Sequence, residues 1–165
     1  MEFSLQHIVF LLLVMCTGLS AGLCFTWSNS ITPGIGKLND FGFLMSFQQM
    51  NRVILNPTFF IVFIGPFFLG IINLFILKNI SSGLWWLLIV SVLIYFLGVI
   101  LVTVFGNIPL NEILDKNNLE TLNEIELRQL RDTFENKWNR LHLIRTVTSL
   151  ISFITLIIIT TQITK

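Results

Sequence analysis

The chain has 165 residues, of which 54% are hydrophobic and only 12% are charged, and its formal net charge is +1. Because soluble domains carry about 25% charged residues, this composition excludes an ordinary soluble protein and indicates one that lies in a lipid bilayer. The near-neutral balance also gives no reason to expect a nucleic-acid partner.

Four apolar segments are long enough to cross about 30 Å of hydrocarbon as helices. We place them at about residues 7–27, 58–77, 84–106 and 143–163. A helix satisfies its own backbone hydrogen bonds, as a bilayer requires. The sequence therefore predicts an all-α membrane protein, a four-transmembrane-helix bundle that forms a single domain over residues 1–165.

The first segment has features of both a membrane helix and a signal peptide. Its end resembles a cleavage region, but the residues before it contain Glu2 and no Lys or Arg. We interpret it as a retained helix, because a signal peptide begins with a basic region. Cys16 and Cys24 lack redox or metal-ligand spacing, so no metal site is predicted. Gly18 and Gly22 favour close helix packing in lipid.

The connection between the first two spans contains turn and cap signals. Pro33 and Gly34 are expected to end the first helix. Asp40 is expected to cap an amphipathic helix over about residues 41–55. Asn56 is expected to cap the second span, which begins with a proline at its first helical position.

The second half follows the same order of elements. Residues 107–111 are expected to break the third helix, and Thr121 and Glu124 have the spacing of a capping box. No helix breaker follows as far as residue 162, so a single helix of about 60 Å is predicted at 1.5 Å per residue. We infer a parallel two-fold internal repeat, with an amphipathic helix before each of helices two and four.

The distribution of basic residues predicts the orientation in the membrane. Four spans place both long connections on one face, and these connections carry most of the Lys and Arg residues. The positive-inside rule therefore places the connections in the cytoplasm and both termini outside. Frequent Ile, Asn and Lys residues are typical of an AT-rich bacterial genome, so we expect the bacterial inner membrane.

A polar stripe enters the fourth span. Trp138, His142, Arg145, Ser149 and Ser152 are three or four positions apart, which places them on one face of a helix. Two interpretations are open for Arg145: it snorkels to lipid phosphate, or it binds an anionic oxygen of a ligand. Likewise, His142 is either an interfacial hydrogen-bonding residue or a general base.

The polar residues of both halves gather at the membrane face that carries the long connections. Polar groups at membrane depth usually face the bundle interior or a wet cavity. We therefore expect a pocket at this end of the bundle, walled by Trp, Phe and Met side chains. No Gly-rich phosphate loop, HExxH or GxSxG motif is present, which argues against nucleophilic hydrolysis.

Four ordered motifs extend over nearly the whole chain. They are Ala21-Gly22-x-x-Phe25-x-Trp27-Ser28, Gln49-x-Asn51-Arg52-x-x-x-Asn56-Pro57, Asn107-x-Pro109-Leu110-Asn111 and Trp138 followed after six residues by Arg145-Thr146. This pattern resembles the anthrone-oxygenase-like family of small four-helix membrane proteins, most of which have no known function. The resemblance implies oxidation of anthrones to anthraquinones by O₂, with no cofactor.

Two hypotheses for the function follow. In the first, the protein is a cofactor-independent oxygenase acting on a flat phenolic or anthrone-like substrate. Here His142 is the general base, and Arg145 and Arg52 stabilise the enolate. The substrate-binding candidates implied by the resemblance are Trp27, Gln49, Asn51, Asn56, Asn107, Asn111 and Trp138.

The alternative is a non-enzymatic membrane module that binds a quinone, a lipid or a protein partner. The apolar side of the helix over residues 122–141 is then a docking surface for a protein or a second copy of the chain. Both hypotheses expect contact with the lipid bilayer, and the first also expects a hydrophobic aromatic small molecule. A homo-oligomer is compatible with either.

Overall fold

The computed structural model describes residues 4–163, and within that range it contains long helices and no strand. We label the main helices α1 (Leu5–Ile35), α2 (Asp40–Ile54), α3 (Pro57–Ile76), α4 (Ser82–Lys116) and α5 (Glu124–Ile163). All except α2 are long and apolar enough to cross a membrane. The prediction of an all-α, four-transmembrane-helix bundle is therefore confirmed.

Small residues set the closest approaches between the spanning helices. A Cβ atom added at Gly98 of α4 would fall within 2.5 Å of Thr148 on α5, and one added at Gly70 of α3 would lie 2.7 Å from Val92 of α4. Gly18 likewise packs against an aromatic ring of α5, whereas a Cβ at Gly22 would meet nothing within 4 Å. Close packing of this kind drives helix association in lipid.

Buried hydroxyl groups link all four spanning helices. Tyr95 on α4 donates its hydroxyl to the Phe63 carbonyl of α3 at 2.7 Å and is also 2.7 Å from the Ser20 hydroxyl of α1. Ser91 on α4 and Ser152 on α5 lie 2.9 Å apart through their hydroxyls. Each such bond contributes about 0.6 kcal/mol in a bilayer, so the set fixes register more than it adds stability.

Helices α1 and α4 both pass through a proline. Each widens into a π-helical turn just before it, at Trp27–Ile31 and at Thr103–Asn107. The N–H of Thr32 bonds the Trp27 carbonyl, and the N–H of Ile108 bonds the Thr103 carbonyl, so the wider turn accommodates the proline ring and its missing N–H. Helix α1 then ends at Ile35, directly after Pro33-Gly34, as predicted. Helix α4 continues to Lys116, so the predicted break at 107–111 is wrong.

The caps differ in part from the prediction. Asn56 caps α3 as expected, but α2 is capped by Asn39, whose side-chain oxygen accepts from the Gly42 N–H at 2.8 Å. Asp40 is already helical and binds an arginine of α5 instead. Similarly, Asn123 caps α5.

The predicted capping box of Thr121 and Glu124 is also wrong. Thr121 belongs to a short 3₁₀ turn and donates its hydroxyl to the Asn118 carbonyl. The reciprocal pair is instead Asn123 and Glu126: the Asn123 side chain accepts from the Glu126 N–H at 3.0 Å, and the Glu126 carboxylate accepts from the Asn123 N–H at 2.9 Å.

Helix α5 contains 40 residues, which gives about 60 Å at 1.5 Å per residue, as predicted. Its first half extends beyond the bundle and packs on α2. There Phe134 meets Phe43 and Phe47, with ring centroids 6.5 Å and 4.8 Å away. Arg131 holds the start of α2 through an ion pair with Asp40 at 3.0 Å. Helix α2 therefore covers one end of the bundle and covers the apolar side of α5 within the same chain.

The π-helical turns at Trp27–Ile31 and Thr103–Asn107 have equivalent positions in the two halves, since each ends two residues before a proline, and α4 has a further π-helical segment at Phe96–Leu101. This adds a matching feature to the inferred two-fold repeat, which remains a prediction.

Candidate functional site

A cavity of about 540 Å³ lies at the end of the bundle that α2 covers. All five main helices contribute to its wall, which is mainly aromatic and aliphatic. Trp27 of α1 and Trp138 of α5 form one side, with ring centroids 5.6 Å apart. Phe59 and Phe63 of α3 form another side and stack at 4.9 Å. The volume is in the usual range for pockets that enclose small organic molecules.

Arg145 brings a positive charge into this apolar cavity. Its side chain does not reach the surface, because the residue is only 7% exposed. Its Nη1 donates to the Thr103 hydroxyl at 3.2 Å, and its Nη2 donates to the His142 ring at 2.6 Å. Of the five N–H groups on a guanidinium, three therefore have no acceptor among the described residues.

The surroundings of Arg145 contain aromatic rings but no paired carboxylate. Its guanidinium carbon lies 5.2 Å from the Trp138 ring centroid and 6.0 Å from that of Phe63. No ion pair to Arg145 is present within residues 4–163. A buried cation with spare donors and no counter-charge is electrostatically suited to an anionic oxygen.

His142 has both ring nitrogens occupied. A carbonyl only accepts hydrogen bonds, so Nε2 donates to the Cys24 carbonyl at 3.0 Å. A guanidinium only donates, so Nδ1 accepts from Arg145. The imidazole is therefore in the Nε2–H tautomer, and it stacks on Trp138 at 4.7 Å. This arrangement fixes the direction in which Arg145 presents its remaining donors.

Trp138 is fixed in turn by α4. Its indole N–H donates to the Asn111 side chain at 2.8 Å, and its carbonyl accepts from Asn107 at 3.3 Å. Asn111 lines the cavity, whereas Asn107 does not. One asparagine therefore holds the indole of Trp138 and the other its backbone.

Arg52 lies at the rim of the cavity, on the side of the long connections. It forms an ion pair with Asp115 of α4 at 2.6 Å, with the two side chains 50% and 55% exposed. Beside it, Lys116 and Glu112 are 3.7 Å apart. The charge of Arg52 is thus already balanced by a carboxylate, unlike that of Arg145.

The remaining predicted residues separate into two groups. Asn51 lines the cavity, and its side-chain NH₂ is buried with no acceptor among the described residues. Gln49 points away from the cavity and contacts Met45, while Asn56 is occupied as the cap of α3. Gln48, the neighbour of Gln49, lines the cavity in its place and donates to the Leu114 carbonyl at 3.0 Å.

Three residues of the site, Thr103, Phe59 and Phe63, were not predicted from the sequence. Thr103 is the hydroxyl partner of Arg145, and the two phenylalanines supply the α3 wall. One signal for Thr103 was present in the sequence: it is a polar residue in an otherwise apolar span, close to Asn107. Phe59 and Phe63 carried no such signal, because α3 contains several other phenylalanines.

A second, more polar groove of about 440 Å³, between α5 and the end of α1, also reaches His142. Ser28, Lys37, Glu135 and Asn139 are among its lining residues. His142 therefore lies between an apolar cavity and a polar groove.

Nowhere in the described part of the chain do three His, Cys, Asp or Glu side chains gather as they would around a metal ion.

The fold and this cavity define a four-helix integral membrane protein with a buried arginine between aromatic walls. A family model described as "Anthrone oxygenase" matches residues 57–155, which is more than half of the chain. The chain therefore belongs to the anthrone oxygenase family, as the motif resemblance indicated. No curated protein and no solved structure matches it.

The matched region includes the α4 and α5 parts of the site, with Asn107, Asn111, Trp138, His142 and Arg145. It begins after α2, so the contributions of α1 and α2 lie outside it.

Proposed function

We propose that this protein is a cofactor-independent oxygenase that oxidises a flat, anthrone-like aromatic substrate with O₂. The observation that carries the proposal is the buried guanidinium of Arg145, which has spare donors and no carboxylate partner in an aromatic-walled cavity. The alternative interpretation, a snorkelling arginine, requires a side chain that reaches the lipid headgroups, and Arg145 is enclosed by protein.

The chemistry of an anthrone fits this arrangement. Its CH₂ group lies between two aromatic rings and opposite a ketone, so loss of one proton gives an enolate with its negative charge largely on oxygen. Donors aimed at that oxygen stabilise the charge as it develops, and they are most effective where water is excluded. Arg145 supplies such donors, and the NH₂ group of Asn51 is available to a second oxygen of the substrate.

The hydrogen bond between Arg145 and His142 couples substrate binding to proton removal. In the structure Arg145 donates to the basic Nδ1 of His142. When the substrate oxygen takes over that guanidinium N–H, the lone pair of Nδ1 is released. His142 then takes the proton from the CH₂ group as general base. Arg52 is paired with Asp115 at the rim of the cavity and does not act on this oxygen.

The oxidation is balanced without a cofactor. The enolate carbon transfers electrons to O₂ and forms a C–O bond, giving a hydroperoxide at the former CH₂ position. Loss of water from this hydroperoxide leaves the quinone carbonyl. One oxygen atom of O₂ enters the product, and the other leaves as water with the two hydrogens of the CH₂ group.

We further propose that the cavity end faces the cytoplasm of a bacterium, in accordance with the excess of Lys and Arg in the connections.

The test is O₂ uptake by the protein in lipid nanodiscs with anthrone as the substrate, after subtraction of the uncatalysed rate. Loss of one preorganised donor to an oxyanion typically lowers kcat by about 10²–10³-fold, which is the expected effect of Arg145→Ala. The matched control is Arg140→Ala, because Arg140 is exposed on the same helix and does not line the cavity. Normal rates in both Arg145→Ala and His142→Ala would refute the proposal.

The alternative, a membrane module that binds a quinone without reacting, gives a different outcome. Native mass spectrometry of the detergent-purified protein would then show a bound quinone that Arg145→Ala loses, while anthrone gives no O₂ uptake above the uncatalysed rate. A docking role for the apolar side of α5 has less support, since α2 covers it within the same chain.

A further inference from the structure

The cavity has two kinds of border. Towards the long connections its rim is charged, and the ion pair of Arg52 and Asp115 bridges α2 and α4 across it. Towards α3 and the middle of α4 the border is apolar. There Phe60 and Val104 line the cavity and are 44% and 46% exposed.

Other lining residues, such as Trp27 and Phe63, are only 8% and 4% exposed, so the much greater exposure of Phe60 and Val104 indicates that these two side chains lie at an opening. Helices α3 and α4 are closely packed below this level, where Phe67 stacks on Phe96 at 4.8 Å and Gly70 meets Val92. Nearer the start of α3, the residues that face α4 are cavity-lining residues instead. Since the outer surfaces of both helices are apolar there, the medium outside this opening is the hydrocarbon of the bilayer.

We propose that the ligand enters and leaves the cavity sideways, from the bilayer, through a portal between α3 and α4 that Phe60 and Val104 frame. The ion pair of Arg52 and Asp115 closes the aqueous side. This inference rests on the proposed function for the nature of the ligand, a flat apolar aromatic molecule. Such a molecule concentrates in the membrane, because burial of its apolar surface away from water is favourable. A portal open to lipid therefore selects against polar phenols that remain in water.

The experiment uses phosphatidylcholine with dibrominated acyl chains as the probe, and the full-length protein in nanodiscs. Bromine quenches indole fluorescence only at near contact. In a Trp85→Phe/Trp86→Phe background, the emission comes from the two cavity tryptophans, Trp27 and Trp138, which are buried from the outside. We expect the brominated chains to quench this emission by reaching through the portal.

Two variants and a matched control locate the route. Phe60→Ala widens the portal and should increase the loss of emission, whereas Val104→Phe narrows it and should restore emission. Phe68→Ala is the control, because Phe68 lies on the same helix, is 58% exposed and does not line the cavity. It should leave the quenching unchanged.

The inference is overturned if the three variants show the same quenching, or if only aqueous iodide quenches the pair and does so more strongly in Asp115→Asn. The measurement involves no O₂ chemistry. Absence of oxygenase activity together with variant-dependent quenching would refute the proposed reaction and leave the portal supported. Oxygenase activity together with quenching that the variants do not change would refute the portal alone.

Discussion

The contact of Gly70 with Val92 lies just below the proposed portal and leads to a quantitative prediction. A Cβ added at Gly70 would lie 2.7 Å from Val92 Cγ2 and 3.2 Å from Cγ1, both too close for an unchanged helix pair. Overpacking of this kind costs about 1–3 kcal/mol. Replacing Gly by Ala inside a helix gains about 1 kcal/mol. We therefore expect Gly70→Ala to lower the free energy of unfolding by about 0–2 kcal/mol.

Gly22→Ala is the matched control for this substitution. Gly22 is also inside a spanning helix, but a Cβ there would meet nothing within 4 Å. The variant should keep the propensity gain without the clash, so the two variants should differ by about 1–3 kcal/mol. Equilibrium unfolding in mixed micelles of dodecylmaltoside and SDS, followed by circular dichroism, measures both values.

A double-mutant cycle with Val92→Ala isolates the steric contribution. When Val92 is truncated to Ala, the atom nearest to the new Cβ of residue 70 is the Cβ of residue 92 at 3.6 Å, an ordinary contact. The two substitutions should therefore be less destabilising together than their sum, with a coupling of about 1–3 kcal/mol. Additive effects within about 0.5 kcal/mol, or equal stability of Gly70→Ala and Gly22→Ala, would refute the claim that this glycine sets the spacing of α3 and α4.

Two further predictions concern the half of α5 that extends beyond the bundle. Arg131→Ala removes the ion pairs and carbonyl contacts that hold the start of α2, so proteolytic cleavage at residues 36–40 should become faster, whereas the exposed Arg128→Ala should not change it. Asn123→Ala should lower the free energy of unfolding by about 1 kcal/mol through loss of the α5 cap. Thr121→Ala should lower the free energy of unfolding by less. If Thr121→Ala were the more destabilising of the two in the same assay, the predicted capping box of Thr121 and Glu124 would be supported.

The number and order of the spanning helices were predictable because four long apolar segments leave few alternatives. The end of α4 was not, because a proline signal has two structural outcomes. The chain either breaks near the proline or takes a wider turn and continues, and α4 takes the second outcome at Thr103–Asn107. Which outcome is adopted depends on whether neighbouring helices pack against the continued segment, and a local pattern does not contain that information.

The part of the site on α5 was also predictable. Trp138, His142 and Arg145 follow helical periodicity, and all three line the cavity. Errors arose on α2, where Gln49 was selected and Gln48 lines the cavity. One position on a helix corresponds to a rotation of about 100°, so only the apolar periodicity of α2 distinguishes the two residues.

The pairing of Arg145 with His142 was only partly within reach of the sequence. Their three-residue separation brings the two side chains together on one helix. The tautomer of the imidazole, however, is set by the Cys24 carbonyl of α1. That contact joins positions more than a hundred residues apart, and only the packing of α1 against α5 reveals it.

The π-helical turn at Thr103–Asn107 has a consequence for how such proteins diverge. A π-helical turn holds about one residue more than an α-helical turn, so deletion of one residue there returns this turn to regular hydrogen bonding. Because the wider turn absorbs the extra residue, the part of α4 beyond it would keep its orientation, whereas the same deletion in a regular α-helix would rotate it by about 100°. A single-codon deletion in this turn is thus a route to removing or shifting Thr103, the hydroxyl partner of Arg145, without turning Asn111 away from the indole of Trp138.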